Sequence, residues 1–406
     1  FFVIEIFFIV EYTIFEYVFS GGIKVPRFFS VSRKGFDWEP YVFLILFFAI
    51  FVPIASVMGI SNFFRTIMST SFDLLINTVF FIMAVAVITG ALASVFSEFG
   101  VVSLLDKILS PLMMPLYRMP GAASLGIVTT FLSDNPAILS LAKDNEFIRY
   151  FKKWQVPLLC NLGTSFGMGL IVSTIMLTYS NKMGVNLFVP VLLGNIGTIF
   201  GSIISVRIFS IFTRKHYKDD EVIKEKTIIT RKKRPGTVGA RFLDSLLEGG
   251  KTGVDLGFAI IPGVLIISTF VFLITNGPKD SSLGYQGLAY EGVPVLQYLG
   301  SKISWLLDIM FGFKSPKLIA FPLTSLGSTG AALGLIPNFI KENILTANDI
   351  AVFTTIGMTW SGYLSTHIAM MDTLNSRKLT SKAILSHTIA GIVAGMITHL
   401  MCLIFI

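Results

Sequence analysis

Long apolar stretches alternate with short polar ones along this chain of 406 residues. A helix needs about 20 apolar residues to cross a bilayer, and the stretches of that length predict spans at 1–19, 41–60, 76–97, 155–178, 187–212, 254–275, 349–373 and 383–406. The first stretch contains Glu5, Glu11 and Glu16. Each carboxylate costs about 2–3 kcal/mol or more at the bilayer centre, so we predict a helix there that crosses the membrane or lies partly in its interface.

Two shorter apolar segments, 121–143 and 316–340, are interrupted by Gly, Ser, Thr and Pro. Each is predicted to form two half-helices that meet at a break, which is SDNP at 133–136 and GSTG at 327–330. Non-helical backbone is tolerated at membrane depth only where protein or a watery cavity surrounds it. The pattern is therefore typical of a re-entrant hairpin.

Lysine and arginine predict the orientation of the chain. The segment 213–251 contains RKHYK, KEK and RKKR, so the positive-inside rule predicts that it is cytoplasmic and that it forms a linker over 213–253. Basic residues near 24–34, 149–153 and 377–382 fall on the same side only if the two hairpins do not cross the membrane. The net charge of +8 then records basic loops, and nucleic acid is not expected as a partner.

The chain also contains an internal repeat. Residues 76–212 and 254–406 share one order of elements, which is a spanning helix, an amphipathic helix, a broken hairpin and two spanning helices. An offset of 194 aligns the two halves without gaps and pairs Thr130 with Thr324 and Gly163 with Gly357. Because each half contains three crossings, the second is expected to be inverted relative to the first.

These patterns predict an all-α integral membrane protein of two inverted repeats, each with a re-entrant helical hairpin plus transmembrane helices. Residues 1–75 would add N-terminal scaffold helices. Broken segments at corresponding positions of inverted halves are the best sequence indication of a transport site. We therefore expect a substrate near the membrane midplane, where the two hairpin tips approach each other.

Composition agrees with a membrane protein. Hydrophobic residues make up 53% of the chain and charged residues 14%, against about a quarter charged in soluble domains. Cys160 and Cys402 each lie in an apolar run and predict neither a disulfide nor a metal site. The sequence has no HExxH, GxSxG or Walker A motif, so we expect no enzyme activity and no resident cofactor.

Both hairpin tips carry candidate substrate contacts. At the first tip these are Ser133, Asp134 and Asn135, where a carboxylate at membrane depth needs a partner, a cation or a proton. Alternatively, the same residues cap the second half-helix. At the second tip the candidates are Thr324, Ser325, Ser328 and Thr329, since exposed helix ends and hydroxyls suit electron-rich groups. The alternative there is close packing of small residues.

The spanning segment after each hairpin has a polar interruption. The first contains Asn161, Thr164 and Ser165, and the second contains Thr359, Ser361, Ser365 and His367. Ser361, Ser365 and Asp372 follow a helical spacing of four and seven, whereas Thr359, Ser361 and Ser365 do not share one face. His367 suits either a proton relay or a hydrogen bond to a neighbouring helix.

The last span contains His387 and His399, about three turns apart and without nearby carboxylates or thiols, so no zinc site is predicted. Gly391 and Gly395 in the same span form a GxxxG pattern, which predicts close helix packing.

Over residues 40–406 the chain resembles the nucleoside-recognition or Gate domain membrane proteins, especially the bacterial YjiH-like group. The matching stretches are ILSPLMMPLYRMPGAASLGIVTTFLSDNPA, FAIIPGVLIISTFVFLI and FPLTSLGSTGAALGLIPNF. The resemblance implies kinship to the concentrative nucleoside transporters and carries Ser133, Asp134, Asn135, Ser328 and Thr329 over to substrate contacts at the hairpin tips. The glutamine–threonine–glutamate motif and second glutamate of those transporters are replaced here by SDNP and GSTG, which puts nucleosides in doubt.

The sequence therefore predicts a secondary active transporter in a bacterial inner membrane, with Na+ or H+ as the coupling ion. Its expected partners are a small polar solute, membrane lipids and further copies of the chain in a homo-oligomer. Two alternatives stay open. One is a non-transporting component in membrane assembly or signalling, and the other is a lipid-handling protein or intramembrane enzyme.

Overall fold

The computed structural model describes residues 38–134, 136–142, 145–148, 150–217 and 234–406. The predicted first helix at 1–19 lies outside these residues, as does Asn135. Within them the protein is all-helical and contains no β-strand. In chain order the helices are α1 Glu39–Met58, α2 Ile60–Glu98, α3 Val101–Tyr117, α4 Ala123–Leu132, α5 Pro136–Ala142, α6 Asn145–Ile148, α7 Leu158–Ser165, α8 Gly169–Thr178, α9 Ser180–Met183, α10 Phe188–Tyr217, α11 Val238–Thr275, α12 Val295–Lys302, α13 Ser304–Phe311, α14 Ala320–Gly327, α15 Thr329–Leu333, α16 Ile336–Lys341, α17 Ala347–Thr359, α18 Tyr363–Thr373 and α19 Thr380–Phe405.

Six parts of the described chain are long and apolar enough to cross a membrane. They are α1, α2, the run α7–α9, α10, α11 and the run that ends in α19. All six coincide with predicted spans, and the chain is an integral membrane protein. The predicted span at 349–373 is also helical, but it is divided into α17 and α18. Of the described residues, those from 38 to 57 form a unit of their own, which contains most of the apolar helix α1.

Two predicted boundaries differ from the structure. Helix α2 begins at Ile60 rather than near 76, because residues 60–73 are amphipathic rather than uniformly apolar and continue into α2 through a π-helical turn at Leu74–Val79. Helices also extend into the segment 213–253 that is predicted as a linker, since α10 runs to Tyr217 and α11 begins at Val238. Thr237 starts α11 by accepting a hydrogen bond from Ala240 N at 3.3 Å, as an N-cap residue does.

Helices α2 and α11 pack closely and run in opposite directions. A Cβ atom at Gly249 would lie 2.3 Å from Gly90 O, and one at Gly253 would lie 2.4 Å from Ala86 O. Contacts therefore move backward along α2 as they move forward along α11. Glycines four residues apart share one helix face, and small residues of this kind let membrane helices approach backbone to backbone.

A second core joins α10, α17 and α19. Thr355 Oγ1 contacts Gly194 O at 2.9 Å and Thr398 Oγ1 at 2.7 Å, so one threonine links all three helices. The close packing predicted from the GxxxG pattern is present. A Cβ atom at Gly391 would lie 2.0 Å from Trp360 Nε1, and one at Gly395 would lie 2.7 Å from Phe311 Cε1.

Candidate functional site: hairpins on two broken crossings

The two helical segments that follow the hairpins, both of which the sequence predicts to be spans, are each broken in the middle. The chain leaves α7 at Ser165 and enters α8 through Met168, whose φ is 57°. It leaves α17 at Thr359 and enters α18 through Gly362, whose φ is 63°. A residue in the left-handed region cannot continue a right-handed helix, so both breaks have the same local cause. Met168 and Gly362 are 194 positions apart, which is the offset of the repeat.

The second break changes one interpretation of the sequence. The helical spacing predicted for Ser361, Ser365 and Asp372 is wrong, because Ser361 lies in the break and only the other two positions belong to α18. Ser361 is buried there. Sequence spacing assumes an uninterrupted helix, and the left-handed Gly362 removes that assumption.

The predicted breaks at both hairpin tips are present. Helix α4 ends at Leu132, before Ser133 and Asp134, and α5 begins at Pro136; Ser328 separates α14 from α15. At the first tip Ser133 is exposed and Asp134 is half-buried. At the second tip Ser328 caps α15, since its Oγ accepts a hydrogen bond from Ala331 N at 3.2 Å. Ser328 therefore has the capping role that was considered only for the first tip, and its hydroxyl proton is still available to a second acceptor.

The first hairpin packs against the first broken crossing. A Cβ atom at Gly163 on α7 would lie 2.6 Å from Ile138 Cγ2 on α5, and a Cβ atom at Gly169 on α8 would lie 2.3 Å from Phe131 Cδ2 on α4. Glycine at these two positions lets a bulky hairpin side chain sit directly on each side of the break.

The second hairpin is joined to the second broken crossing by hydrogen bonds. Thr329 Oγ1 donates to Gly357 O at 2.8 Å, and Gly362 N donates to Ser325 O at 3.2 Å. Gly163 and Gly357, which the predicted repeat aligns, thus each contact a hairpin. The backbone groups that the break removes from the helix ladder find partners in the hairpin, which is how irregular backbone is tolerated at membrane depth.

Several predicted site residues donate their hydroxyl protons to carbonyls one turn back in their own helix. Thr164 and Ser165 donate to the carbonyls of Cys160 and Asn161, each at 2.8 Å, at the end of α7. Other hydroxyls do the same in α14, where the donors and distances are Thr324 to Ala320 O at 2.7 Å and Ser325 to Phe321 O at 3.0 Å. These hydroxyls are engaged within their own helices in this conformation.

Helix α18 is the meeting point of these elements. It packs against α5 of the first hairpin, α14 of the second hairpin and α7 of the first broken crossing, while α8 packs against α17. Asn161 and His367 are brought together across the α7–α18 contact, with Asn161 Oδ1 3.2 Å from His367 Nε2. Thr164 also reaches α18, with its Oγ1 3.8 Å from the sulfur of Met370.

Sequence reasoning missed His387 and Ser205, which extend this contact into a buried chain. Asn161 Nδ2 donates to Ser205 Oγ at 2.9 Å, and Ser205 Oγ lies 2.8 Å from His387 Nδ1. The rings of His387 and His367 are 5.1 Å apart. The available signal was the presence of a histidine inside a span, which by default indicates a functional residue. The partner itself could not be read, because it lies 182 residues away.

The chain of polar groups ends at the second break. His387 Nε2 lies 2.5 Å from Thr359 O. The Thr359 hydroxyl is buried and has no hydrogen-bond partner among the described residues. Nor do those residues supply a third histidine, cysteine or carboxylate that would complete a metal site around the two rings. For Ser365 the structure places the backbone in α18.

No protein-family model matches the chain, and no curated protein matches it. Solved structures of CNTnw, a concentrative nucleoside transporter, do match. CNTnw in its intermediate 1 state gives a TM-score of 0.53 at 13% identity, over 89% of this chain and 85% of that chain. A CNTnw variant in an outward-facing state gives 0.52 at 12% identity, over 89% and 84%. CNTnw in an inward-facing substrate-bound state gives 0.51 at 14% identity, over 78% and 74%. At these identities the likeness shows the fold, which is distantly similar to that of concentrative nucleoside transporters.

Proposed function

We propose that this protein is a secondary active transporter that moves a small polar solute across the membrane by alternating access, driven by an ion gradient. The observation that carries the proposal is that two broken hairpins are seated on two broken crossings and meet on α18. Binding sites of secondary transporters lie where discontinuous helices meet at depth. The similarity in fold to a transporter solved in inward-facing, outward-facing and intermediate states supports the same assignment.

The moving and fixed parts follow from the packing. The hairpins and broken crossings are held to one another through single glycines and a few hydrogen bonds, so we assign them to the moving unit. The framework is α2 with α11, whose backbones touch along a stripe of glycines. The opposite directions of α2 and α11, the first helices of the two halves, support an inverted repeat. They also fit a topology in which 213–251 is cytoplasmic.

Solute contacts are proposed at the tips rather than in the helices behind them. Ser133 is exposed, Asp134 is half-buried, and Ser328 retains a hydroxyl proton. By contrast, the Thr324, Ser325 and Thr329 hydroxyls already donate to backbone carbonyls. Hydrogen-bonding groups at a break in the membrane suit a solute that carries hydroxyl or amide groups. A nucleoside-like solute and kinship with the YjiH-like Gate proteins are part of the proposal, on the resemblance of sequence alone.

The test is uptake into proteoliposomes by an Asp134→Asn variant. A carboxylate at membrane depth is retained for a function that needs its charge, so the amide is expected to abolish coupled uptake while the protein stays folded. Asp372→Asn is the matched control, because Asp372 is an exposed carboxylate whose oxygen lies 3.6 Å from Arg377 Nε. Equal uptake by the Asp134→Asn variant and the unmodified protein would remove Asp134 from the mechanism.

The solute is to be found by thermal stabilisation. A ligand that binds only the folded state stabilises it by about 2.7 kcal/mol at a hundred times its Kd, which a melting curve of the purified protein detects. Nucleosides and other small polar solutes are screened first, and those that stabilise are tested for uptake. A solute that stabilises the protein but never accumulates in the vesicles would favour a non-transporting role in membrane assembly or signalling.

A further inference from the structure

A buried chain of hydrogen bonds joins five helices behind the second break. It runs from Thr359 O at the end of α17 through His387 on α19, Ser205 on α10 and Asn161 on α7 to His367 on α18. The four side chains that make these hydrogen bonds are fully buried. The first ring, His387, contacts the backbone carbonyl of Thr359, and the last ring, His367, contacts that of Tyr363. Because a carbonyl can only accept a hydrogen bond, the position of each proton in between can be assigned.

At His387, a neutral ring makes all of the hydrogen bonds that the geometry requires. Since Thr359 O accepts, His387 Nε2 must carry a proton. The other ring nitrogen, Nδ1, then accepts from the Ser205 hydroxyl at 2.8 Å. The Ser205 oxygen in turn accepts from the Asn161 amide nitrogen at 2.9 Å. Every donor in this part of the chain therefore meets an acceptor.

At His367, a neutral ring cannot make both of the hydrogen bonds that the geometry requires. His367 Nδ1 lies 2.9 Å from Tyr363 O and so needs a proton. His367 Nε2 lies 3.2 Å from Asn161 Oδ1, another acceptor, and needs a proton as well. Exchanging the oxygen and nitrogen of the Asn161 amide does not remove this contact between two acceptors without creating another, because the amide nitrogen also donates to Ala383 O at 3.1 Å. All the hydrogen bonds are made only when His367 carries two protons and a positive charge.

We propose that this chain is a binding site for one exchangeable proton, held on His367, and that the proton is the coupling ion of the transporter. The coupling role rests on the proposed function, whereas the proton site rests on the hydrogen-bond geometry. A neutral His367 leaves a lone pair against an oxygen. A charged His367 makes two charge-assisted hydrogen bonds but is buried without a carboxylate, which costs several kcal/mol. Each protonation state therefore carries an unfavourable term, and a conformational change that alters the surroundings of the ring would select between them.

Helix α18 provides that conformational link. It carries His367 and packs against both hairpins, so a movement of either hairpin changes the surroundings of the ring. This hydrogen-bonded site would bind a proton rather than Na+, because hard cations are held by oxygen atoms and the two rings present N–H groups.

No described carboxylate faces the two rings. The titratable groups that contact the His367 ring are His387 and Tyr363, at centroid distances of 5.1 and 5.4 Å. Cys160 on α7 is buried. Several other titratable residues on the packed helices have partners away from the two rings, namely Arg207 with the carbonyls of Pro115 and Leu116, Lys382 with the Phe212 ring, Asp349 with Thr346, His399 with Asn348, and Asp372 with Arg377.

The experiment is a pH titration of the histidine rings by NMR in the purified protein labelled with 15N-histidine. The chain has four histidines, and single His→Gln variants assign their signals. Nitrogen shifts distinguish a singly protonated ring from a doubly protonated one. We expect the His367 signal to pass to the doubly protonated form as the pH falls, with a linked change in the His387 signal.

Substitutions of Asn161 sharpen this test. Asn161→Asp places a carboxylate beside His367 Nε2 and is expected to raise the midpoint of its titration by about 1–3 pH units, as a nearby opposite charge does. Asn161→Leu removes the acceptor and is expected to lower the midpoint. His399→Gln is the matched control and should leave the titration unchanged. If the Leu variant does not fold, the unmodified protein and the Asp variant decide the result.

Two results would overturn the proton site. One is a His367 ring that stays singly protonated at every pH at which the protein is folded. The other is a midpoint that Asn161→Asp leaves in place. Neither measurement needs a solute, so failure of transport is detected separately. If the titration is found and uptake into vesicles is insensitive to an imposed pH gradient, the proton site stands and its coupling role is overturned.

Discussion

The two broken crossings follow the same backbone path with different residues. Each leaves its first helix, passes a left-handed residue and resumes, at Met168 in one half and Gly362 in the other. The same is true of the turn that precedes each hairpin, where Arg118 has φ 56° and Gly312 has φ 74°. All four positions match at an offset of 194. A glycine occupies the left-handed position in the second half and a larger residue occupies it in the first.

The chemistry of the halves differs more than their backbones do. The first tip presents a carboxylate at Asp134, whereas the second presents a capping hydroxyl at Ser328. The first crossing supplies Asn161 to the buried chain, and the second supplies His367. The comparison teaches that the glycine contacts and left-handed turns maintain the path, while side chains at matched positions have been free to take separate roles. The following substitutions test that separation, one matched pair at a time.

The largest difference is expected between Gly163→Ala and Gly357→Ala. A Cβ atom at Gly163 would meet Ile138 at 2.6 Å, while one at Gly357 would meet Phe321 Cζ at 3.4 Å, which is ordinary contact. Overpacking costs about 1–3 kcal/mol, so Gly163→Ala should lower the free energy of unfolding by that amount. Gly357→Ala should be neutral or stabilising, because alanine favours a helix over glycine by about 0.5–1 kcal/mol.

Thermal unfolding of the two purified variants measures this difference. Equal melting temperatures would mean that the first hairpin does not press on its crossing as closely as Ile138 indicates. Ile138→Val combined with Gly163→Ala provides the internal check, since removing a methyl group from the contact should restore part of the lost stability.

The next pair, Gly312→Ala and Arg118→Gly, should change stability in opposite directions. A left-handed conformation costs a residue with a side chain roughly 1–2 kcal/mol, and Gly312→Ala adds a contact of 2.5 Å with the His399 ring. Arg118 is exposed, so glycine relieves its backbone strain with little loss of packing and should raise stability by up to about 1 kcal/mol. Chemical denaturation of both variants under the same conditions measures the signs. A stabilising Gly312→Ala would contradict the left-handed turn.

The sequence predicted these turns only in part, for physical reasons. Apolar length located the spans, and the Gly, Ser and Pro residues located both hairpin breaks, because such signals are local. The amphipathic start of α2 escaped notice since Arg65 and several polar residues interrupt its apolar pattern. Met168 gave no signal either, because methionine is not a residue that normally marks a left-handed turn.

The buried chain of hydrogen bonds was beyond the reach of sequence patterns. Asn161, Ser205, His367 and His387 lie on four different helices, and only packing brings them together. His387 was interpreted as an isolated histidine, since the nearest polar residues in its own helix offered no partner. Residue types inside a span indicate that a polar group needs a partner; they do not say which helix supplies it.

A smaller effect is expected at the hairpin tips. Ser328→Ala removes the N-cap of α15 and should cost about 1 kcal/mol, the usual value for a lost cap. Ser133→Ala is the matched substitution at the first tip, where the side chain is exposed and lies at the C-terminal end of α4 rather than at the start of a helix. It should leave the melting temperature unchanged. A comparable loss in both variants would show that Ser133 also stabilises its tip.

The smallest effect is expected for Asp372→Asn at the end of α18. Its carboxylate and the Arg377 side chain are 41% and 67% exposed, with 3.6 Å between Oδ1 and Nε. Exposed ion pairs contribute about 0–1 kcal/mol, and the aligned position in the first half is Thr178, which bonds only to its own helix at Ile175 O. Because the first crossing has no carboxylate at this position, the second crossing is expected to tolerate the loss of its carboxylate. Stability within about 0.5 kcal/mol of the unmodified protein and unchanged uptake would exclude Asp372 from the functional asymmetry between the halves. A loss of uptake in Asp372→Asn would extend that asymmetry to the far end of α18.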